Sequence, residues 1–398
     1  MCADNNYITS LEPLSNHTYL SNLYLNNNQI NDLTPLSRLS YLWDVELNNN
    51  QINDLSPLSQ IKGLYQLSLD NNQISDLSPL NSIKYLNYLS LNNNQISDIS
   101  TLSFTDMSGL SLDGNQISDV TSLANFDFIY SLSLSNNQIS NISPIVEIED
   151  LYHLNLSHNQ IDDITPLLGL DYLEKLDMSH NQITEINSLR NVIDNLWYIN
   201  LDNNQISDIS SLSVRTDGAF VYSIENQSIT LVEDFCSDAE FSFKNPIQGF
   251  GNKLGVDIIV NQNGSYDKEE QLLTWTNAGE LNEVSYQFNQ EFVVPEIDYA
   301  ENRYSFSGTV TIKNSQMIQL GWYMQDGVWY YANENGQNHL GWLPLGNTWY
   351  YLNESGAMVT GWEQIGGTWY YFYLNGVMAT NTVIDGWQIT ENGAAYLI

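Results

Sequence analysis

The feature that most constrains how this chain folds is an eight-residue segment, residues 23–30, that recurs through the first half of the sequence. It reads L-x-L-x-x-N-x-I, and its asparagine returns in steps of 21 to 23 residues. This asparagine column comprises Asn28, Asn50, Asn72, Asn94, Asn115, Asn137, Asn159, Asn181 and Asn204. A fixed period of this length predicts a solenoid, in which each repeat forms one coil and stacks on its neighbours.

The letters of one repeat predict its local structure. Leu23 and Leu25 alternate with Tyr24, which predicts a short strand with both leucines in the core. The amide of Asn28 both donates and accepts, so the column can satisfy buried backbone groups in successive coils. On the return side, Thr34-Pro35 and its equivalents predict a short helical segment, with Ser or Thr as N-cap and Pro in the first turn.

Residues 1–213 are therefore predicted to form a leucine-rich repeat solenoid of short parallel strands. It starts inside a repeat, because Asn6 and Ile8 already occupy motif positions. A trimmed N-terminus or a lipid-modified Cys2 would each explain that start. The phrase NNQI-[SN]-D-[LI]-[ST]-P-L and the 22-residue length resemble the internalin family of bacterial surface proteins, which implies a solenoid displayed for a protein partner. Eukaryotic cytosolic solenoids share the repeat length, so the solenoid alone leaves a cytosolic scaffold open.

The concave face of this solenoid is predicted to be polar and mildly acidic, with aromatic residues on it and in a column beside it. Aromatic side chains there are candidate anchors for a protein partner. Packing of these rings on one another is the alternative, and the sequence leaves both open. The candidate protein-binding residues are Tyr24, Trp43, Glu46, Tyr65, Tyr88, Tyr130, Tyr152, Trp197 and Tyr198.

Two further columns contain residues that can bind metals. Acidic residues follow all but one of the asparagine turns, at Asp32, Asp54, Asp76, Asp98, Asp119, Asp163, Glu185 and Asp208. We expect them to accept hydrogen bonds at the start of each convex turn. His158 and His180 share one column in adjacent repeats, but two ligands do not make a specific site, so a solvated pair is expected.

The formal net charge of −36, with only 11 basic residues, argues against nucleic acid as a partner. No apolar run of about 20 residues predicts a membrane span, and no secretory signal is evident. Cys2 and Cys236 are predicted to lie in different domains, so a disulfide framework is not expected.

Residues 214–313 are predicted to form a β-sandwich, since short alternating strands lie between Gly, Asn and Pro turns. The order of these segments resembles the immunoglobulin-like domain that follows the repeats in internalins. That resemblance implies packing against the last repeat. Trp275 is expected in the core, and Cys236 is expected to be a buried free thiol.

Residues 314–398 have a period of 20 residues and are predicted to form a β-hairpin solenoid. The recurring phrases are Gly321-Trp322, Gly341-Trp342 and Gly361-Trp362, then Trp329-Tyr330-Tyr331, Trp349-Tyr350-Tyr351 and Trp369-Tyr370-Tyr371, then Gly336, Gly356 and Gly376. These phrases resemble the choline-binding, cell-wall-binding repeats of Gram-positive surface proteins. Asn338 departs from the family's methionine, and the last unit resembles a terminal cap.

The resemblance implies aromatic cages between consecutive hairpins, where ring faces hold the quaternary ammonium of choline. Which tyrosine faces the ligand is inferred from strand alternation. The first cage is expected to use Trp322, Trp329 and Tyr351, the second Trp342, Trp349, Tyr371 and Met358, and a third Trp362, Trp369 and Trp387, with Met378 at the next methionine position. A hairpin core without ligand, or binding of a glucan or other wall polymer, stays open.

The chain shows no catalytic constellation, so we predict no catalytic residues, no cofactor and no metal. The predicted function is a non-catalytic, extracellular, wall-associated bacterial surface protein. It would display the solenoid for adhesion or host interaction and attach through its C-terminal repeats to choline or teichoic acid polymers. The alternative is the non-catalytic targeting part of a larger cell-wall hydrolase.

Overall fold

The structure is a computed structural model, and it describes most of the chain. The described residues are 1–102, 104, 107–126, 128–148, 150–212, 221–233, 235, 240–249, 256–278, 281–293, 303–315, 321–325, 327–333, 337–346 and 348–397. They divide into a first compact unit of Met1–Ile229, Ser242–Leu273 and Ser285–Val310, and a second of Thr230–Phe241, Thr274–Val284 and Thr311–Ile398. The domain boundaries at residues 213 and 313 stay predictions. Cys236 and Gly336 lie outside the described residues.

The first unit contains the solenoid, whose strands pair in parallel, each with the next. The first pair joins Asn22 to Asp44 and Tyr24 to Glu46, one repeat apart. These strands are β1 Asn22–Tyr24, β2 Asp44–Glu46, β3 Gln66–Ser68, β4 Tyr88–Ser90, β5 Met107–Ser111, β6 Ile129–Ser133, β7 His153–Asn155, β8 Lys175–Asp177 and β9 Tyr198–Asn200. The predicted leucine-rich repeat solenoid is confirmed.

The asparagine column forms a ladder inside the coils. Asn72 is 8% exposed, and its Nδ2 donates to the carbonyls of Leu47 and Leu69, both at 3.0 Å. Its Oδ1 accepts from the backbone N–H of Ile52 at 3.0 Å. Each amide therefore joins two adjacent coils and satisfies backbone groups that have no water beside them. The structural interpretation of this column is confirmed.

The convex side consists of short 3₁₀ helices. They span Glu12–Leu14, Thr34–Leu36, Ser56–Gln60, Ser78–Ser82, Thr121–Asn125, Ser143–Glu147, Thr165–Gly169 and Asn187–Asn191. The predicted Ser or Thr N-cap is wrong, because Thr34 is already inside its helix and Leu33 is the N-cap, without a side-chain hydrogen bond. Asp32 supplies the acceptor, since its Oδ1 lies 2.8 Å from the backbone N of Thr34.

The same contact recurs along the acidic column and confirms the expected role of these aspartates. The hydroxyl and backbone N–H of Thr34 hold the pKa of Asp32 below its ordinary value. A carboxylate that accepts from the first turn of a helix is stabilised in its charged form. No group of three or more metal-ligating side chains occurs among the described residues.

The solenoid sheet continues past the last repeat. β10, Val221–Glu233, pairs in parallel with β9, and Val221 lies opposite Tyr198. Gln227 takes the place of the next asparagine, because its Nε2 donates to the carbonyl of Leu201 at 3.0 Å and its Oε1 accepts from the N–H of Ile206 at 2.9 Å. The ladder of side-chain amides therefore extends into β10, beyond the last recognisable repeat.

The remaining strands of the middle region belong to two sheets. Their bounds are β11 Glu240–Lys244, β12 Asp257–Val260, β13 Ser265–Asp267, β14 Leu272–Thr276, β15 Glu283–Val293 and β16 Arg303–Asn314. The solenoid sheet goes on in the order β10, β16, β15, β12, and a second sheet has the order β11, β14, β13. The predicted β-rich region is confirmed, and Trp275 is fully buried as expected.

The second unit contains the C-terminal hairpins. Their strands are β17 Gly321–Gln325, β18 Val328–Ala332, β19 Gly341–Leu345, β20 Thr348–Leu352, β21 Gly361–Ile365, β22 Thr368–Phe372, β23 Thr382–Ile384, β24 Trp387–Ile389 and β25 Ala395–Leu397. β25 pairs with β22, so the last repeat extends the sheet of the third hairpin. Within the described part of the chain, no helix has the length and apolar character that crossing a bilayer requires.

The two histidines of the solenoid column stack on one another, with ring centroids 3.8 Å apart. Both have a positive φ, as do the asparagines at the equivalent positions of other repeats. Burial, together with the neighbouring His180, lowers the pKa of His158, while Asp177 acts in the opposite direction. The neutral form of His158 is therefore favoured in the folded chain.

This pKa shift predicts the direction of a pH effect on stability. His158 binds a proton more readily in the unfolded chain, so its contribution to the free energy of unfolding is full above about pH 6.5 and declines as the pH falls further. We expect a lower Tm at pH 5.5 than at pH 7.5 in thermal unfolding. The variant His158→Asn has a residue that tolerates positive φ and should show a smaller decline. An equal decline in both proteins would contradict the assignment to His158.

Candidate functional site

The hairpins of the second unit place their aromatic residues by strand register. Trp322 lies opposite Tyr331 in the first hairpin, Trp342 opposite Tyr351 in the second and Trp362 opposite Tyr371 in the third. Residues that lie opposite each other across an antiparallel pair project from the same face of the sheet. The tyrosine that precedes each of these paired tyrosines projects from the other face of its hairpin. These residues are Tyr330, Tyr350 and Tyr370.

A cavity of about 340 Å³ is lined by Trp322, Trp329, Tyr350, Met358 and Asn375. The rings of Trp322 and Tyr350 meet edge to face, with centroids 4.8 Å apart. Met358 is fixed in this wall because its backbone N donates to the carbonyl of Trp329 at 2.8 Å. We name these five residues the first cage. It is open to solvent on one side, and Trp329 is 40% exposed.

The structure corrects two expectations that concern the first cage. Tyr351 does not line it, because Tyr351 shares a face with Trp342, and their ring centroids are 5.2 Å apart. Tyr350 projects from the opposite face and reaches the preceding hairpin. Met358, which the sequence predicts in the second cage, lines the first. Asn338, which replaces the family's methionine in the first repeat, therefore does not affect this cage, since the methionine of the cage comes from the second repeat.

The second cage repeats this arrangement one unit later. The rings of Trp342 and Trp349 are 6.2 Å apart, and Tyr370 lies 4.9 Å from Trp342. Met378 occupies the equivalent of Met358, and its backbone N donates to the carbonyl of Trp349 at 2.8 Å. Tyr371 is not part of this cage, because it packs on Trp362 of its own hairpin at 5.1 Å.

The third cluster consists of Trp362, Trp369 and Trp387, as grouped from the sequence. Trp387 lies 5.6 Å from Trp362 and 6.5 Å from Trp369, measured between ring centroids. The indole Nε1 of Trp362 donates to Oδ2 of Asp385 at 3.3 Å. The sequence reasoning missed Asp385 and Asn375, since neither belongs to the aromatic phrases that repeat.

Family models match four parts of the chain. Leucine Rich repeats match residues 131–169 and 173–214, LRR adjacent matches 258–313, a cell wall binding repeat matches 321–337 and 341–358, and a choline-binding repeat matches 359–396. A crystal structure of an internalin (inlF) from Listeria monocytogenes is similar, with 38% identity over 52% of this chain and 61% of that chain, at a TM-score of 0.50. The chain therefore combines leucine-rich repeats, which are similar to those of an internalin, with C-terminal choline-binding repeats.

Further similarity covers single modules of this internalin-like protein. Choline binding protein F from Streptococcus pneumoniae is 43% identical over 20% of this chain and 26% of that chain, at a TM-score of 0.19. A search of curated proteins found no significant match. The internalin-like chain spans 61% of the first similar structure. The matched families are non-catalytic binding modules, and together they suggest a surface protein for protein binding and cell-wall attachment.

The aromatic column of the internalin-like solenoid is both packed and exposed. Trp43 stacks on Tyr65 with ring centroids 4.4 Å apart and remains 49% exposed. Tyr130 stacks on Tyr152 at 4.8 Å, and Trp197 is 44% exposed. Stacking therefore orders these rings and leaves large apolar faces exposed, and their role as anchors for a partner stays a prediction.

The concave face beside this column consists of ordered polar groups. The hydroxyl of Tyr24 donates to Oδ2 of Asp44 at 2.7 Å, and the amide of Asn26 donates to Oε2 of Glu46 at 2.7 Å. Tyr88 is exposed, and Tyr198 is half-buried, with the Nζ of Lys175 5.1 Å from its ring centre. The predicted protein-binding residues thus lie on the concave face and in the column beside it, and their role stays a proposal.

Proposed function

We propose that this protein is a non-catalytic, extracellular bacterial surface protein that attaches to choline-bearing wall polymers and displays its solenoid to a protein partner. The first cage is the observation that supports the proposed attachment to choline-bearing polymers. Two indoles, a phenol ring and a thioether enclose a space for a small cation. A quaternary ammonium cannot donate a hydrogen bond, so it is recognised by ring faces through cation–π attraction.

Charge supports a cationic ligand. Residues 314–398 contain no Lys or Arg, so no lysine or arginine of the module competes for the rings. The polymer that carries choline also carries phosphates, which the negative chain repels. These two effects oppose each other, so we expect only modest dependence of wall binding on salt.

The first test is retention on a choline-substituted resin. The full chain should bind and should elute with free choline, because soluble choline competes for the cages. A resin with unsubstituted polysaccharide should retain none of it. Passage through the choline resin, or elution by polysaccharide alone, would overturn the choline assignment and favour a glucan ligand.

The second half of the proposal assigns partner binding to the aromatic column and the concave face. Stacked, half-exposed aromatic rings offer large apolar contact at little cost in side-chain entropy. The partner is a protein of the host or of another cell surface. It can be sought by capture with the full chain from surface extracts.

Once a partner is identified, the double variant Trp43→Ala and Tyr65→Ala should weaken its binding by about tenfold or more, as loss of a central aromatic anchor does. The matched control is Leu168→Ala, which removes a 40% exposed apolar side chain from the convex 3₁₀ helix Thr165–Gly169. Titration calorimetry would measure both. Unchanged affinity in the double variant, with a loss in the control, would move the site to the convex side.

A further inference from the structure

The third cluster differs chemically from the first cage. The first cage has no carboxylate among its described lining residues. In the third cluster, Oδ2 of Asp385 lies 3.3 Å from the indole Nε1 of Trp362. A third indole, Trp387, stands where the first two cages have Tyr350 and Tyr370.

The position of Asp385 is set by the backbone of a tight turn. Ile384 of β23 pairs with Trp387 of β24, so Asp385 and Gly386 are the two turn residues. Both have a positive φ, of 51° and 84°, which is typical of a two-residue hairpin turn with Asp-Gly. The tight turn therefore presents the carboxylate to the indole of Trp362, and its place does not depend on a flexible loop.

No lysine or arginine within the module neutralises this carboxylate, because residues 314–398 contain neither residue type. Asp385 is exposed, and its Oδ2 accepts the indole N–H of Trp362. A carboxylate oxygen can accept more than one hydrogen bond, so it can serve a bound cation as well.

The presence of this acceptor changes which cations can bind. An ammonium that carries N–H loses hydrogen bonds to water when it enters an aromatic site, and ring faces replace them poorly. A carboxylate replaces them with a charge-assisted hydrogen bond. A quaternary ammonium gains only the charge attraction, because it has no N–H to donate.

We propose that the third cluster is a site for protonated amines, of which an ethanolamine group is the simplest, whereas the first two cages select quaternary ammonium. This inference rests on the proposed function in one respect, namely that the aromatic clusters bind cations. The three clusters of one module would then differ in specificity. The protein could hold a wall polymer or surface whose head groups are mixtures of choline and less methylated amines.

The test follows each indole separately. The full chain is labelled with ¹⁵N at the tryptophan indoles, and choline chloride and ethanolamine hydrochloride are titrated separately. We expect choline to shift Trp322, Trp329, Trp342 and Trp349. Ethanolamine should shift Trp362, Trp369 and Trp387 and leave the first two cages unchanged.

The decisive variant is Asp385→Asn. Asparagine tolerates positive φ, and its amide oxygen can still accept the indole N–H of Trp362, so the cluster keeps its shape while the charge disappears. Affinity for ethanolamine at the third cluster should fall by about tenfold or more, because a charge-assisted hydrogen bond is lost. The control Glu391→Gln removes one exposed negative charge from the same module and should change nothing.

The outcomes separate the two proposals. If ethanolamine shifts no indole of the third cluster, or if Asp385→Asn binds it as well as the unaltered protein does, this inference is overturned and Asp385 only orients Trp362. If choline shifts none of the indoles in the first two cages while ethanolamine shifts the third cluster, the choline assignment fails and the amine site stands.

Discussion

Replacing Trp349 by alanine should lower retention on choline-bearing walls by an order of magnitude or more, while free choline still binds the first cage at similar affinity. Trp349 belongs to the second cage, where its ring lies 6.2 Å from that of Trp342. One small cation gains only about 2 kcal/mol from desolvated cation–π contact, so a single cage binds weakly. The wall offers many cholines on one polymer, and binding at one cage raises the effective concentration at the next.

Two measurements on the same variant test this expectation. Free choline is titrated in solution, and retention is measured on isolated walls. Trp197→Ala is the matched control, since Trp197 and Trp349 are each 44% exposed and Trp197 belongs to the solenoid. Equal, small losses in both assays would mean that the cages act independently and that avidity does not contribute.

Replacing Asn72 by alanine should destabilise the solenoid by roughly 3 kcal/mol, because it leaves one buried backbone N–H without a partner and removes one of the two side-chain hydrogen bonds to each of two buried carbonyls. The N–H is that of Ile52. The carbonyls are those of Leu47 and Leu69, which still accept from Asn50 and Asn94. These three backbone groups belong to two adjacent coils, so the substitution weakens the stacking between coils as well as the turn of one coil.

Urea unfolding followed by circular dichroism would measure this loss in free energy. The adjacent variant Asn71→Gly is the control. Asn71 is exposed with a φ of 55°, a conformation that glycine adopts readily, so its replacement should cost only a few tenths of a kcal/mol. A loss below about 1 kcal/mol for Asn72→Ala would show that water or a neighbouring group replaces the amide.

The ladder of side-chain amides could be predicted from the sequence only where the repeat motif is present. Asn28 and its equivalents recur at one position per coil, and that position alone implies a ladder of amides. Gln227 continues the ladder without the motif, because its longer side chain reaches the same carbonyl from β10. Nothing in the period predicts that substitution, since the repeat has already ended.

The N-caps of the convex 3₁₀ helices are a second feature that the sequence did not predict correctly. Thr34-Pro35 fits the usual pattern of an N-cap followed by proline, yet Thr34 is the first helical residue and Asp32 accepts its N–H. Both residue types favour helix starts, so composition could not separate them. The residue at which a helix of three to five residues begins depends on how the coil packs against its neighbours.

The sequence by itself determined the solenoid, the hairpin repeats and the aromatic composition of the cages, because each follows from a periodic pattern of residue types. Only the tertiary structure decided which residues meet in a cage. Tyr350 and Tyr351 are adjacent and identical in type, and they differ only in the face of β20 from which they project. That face is fixed by the pairing of Tyr351 with Trp342. Asp385 entered the third cluster for the same reason, since a turn in the last unit brings its carboxylate to Trp362, a contact between residues 23 positions apart.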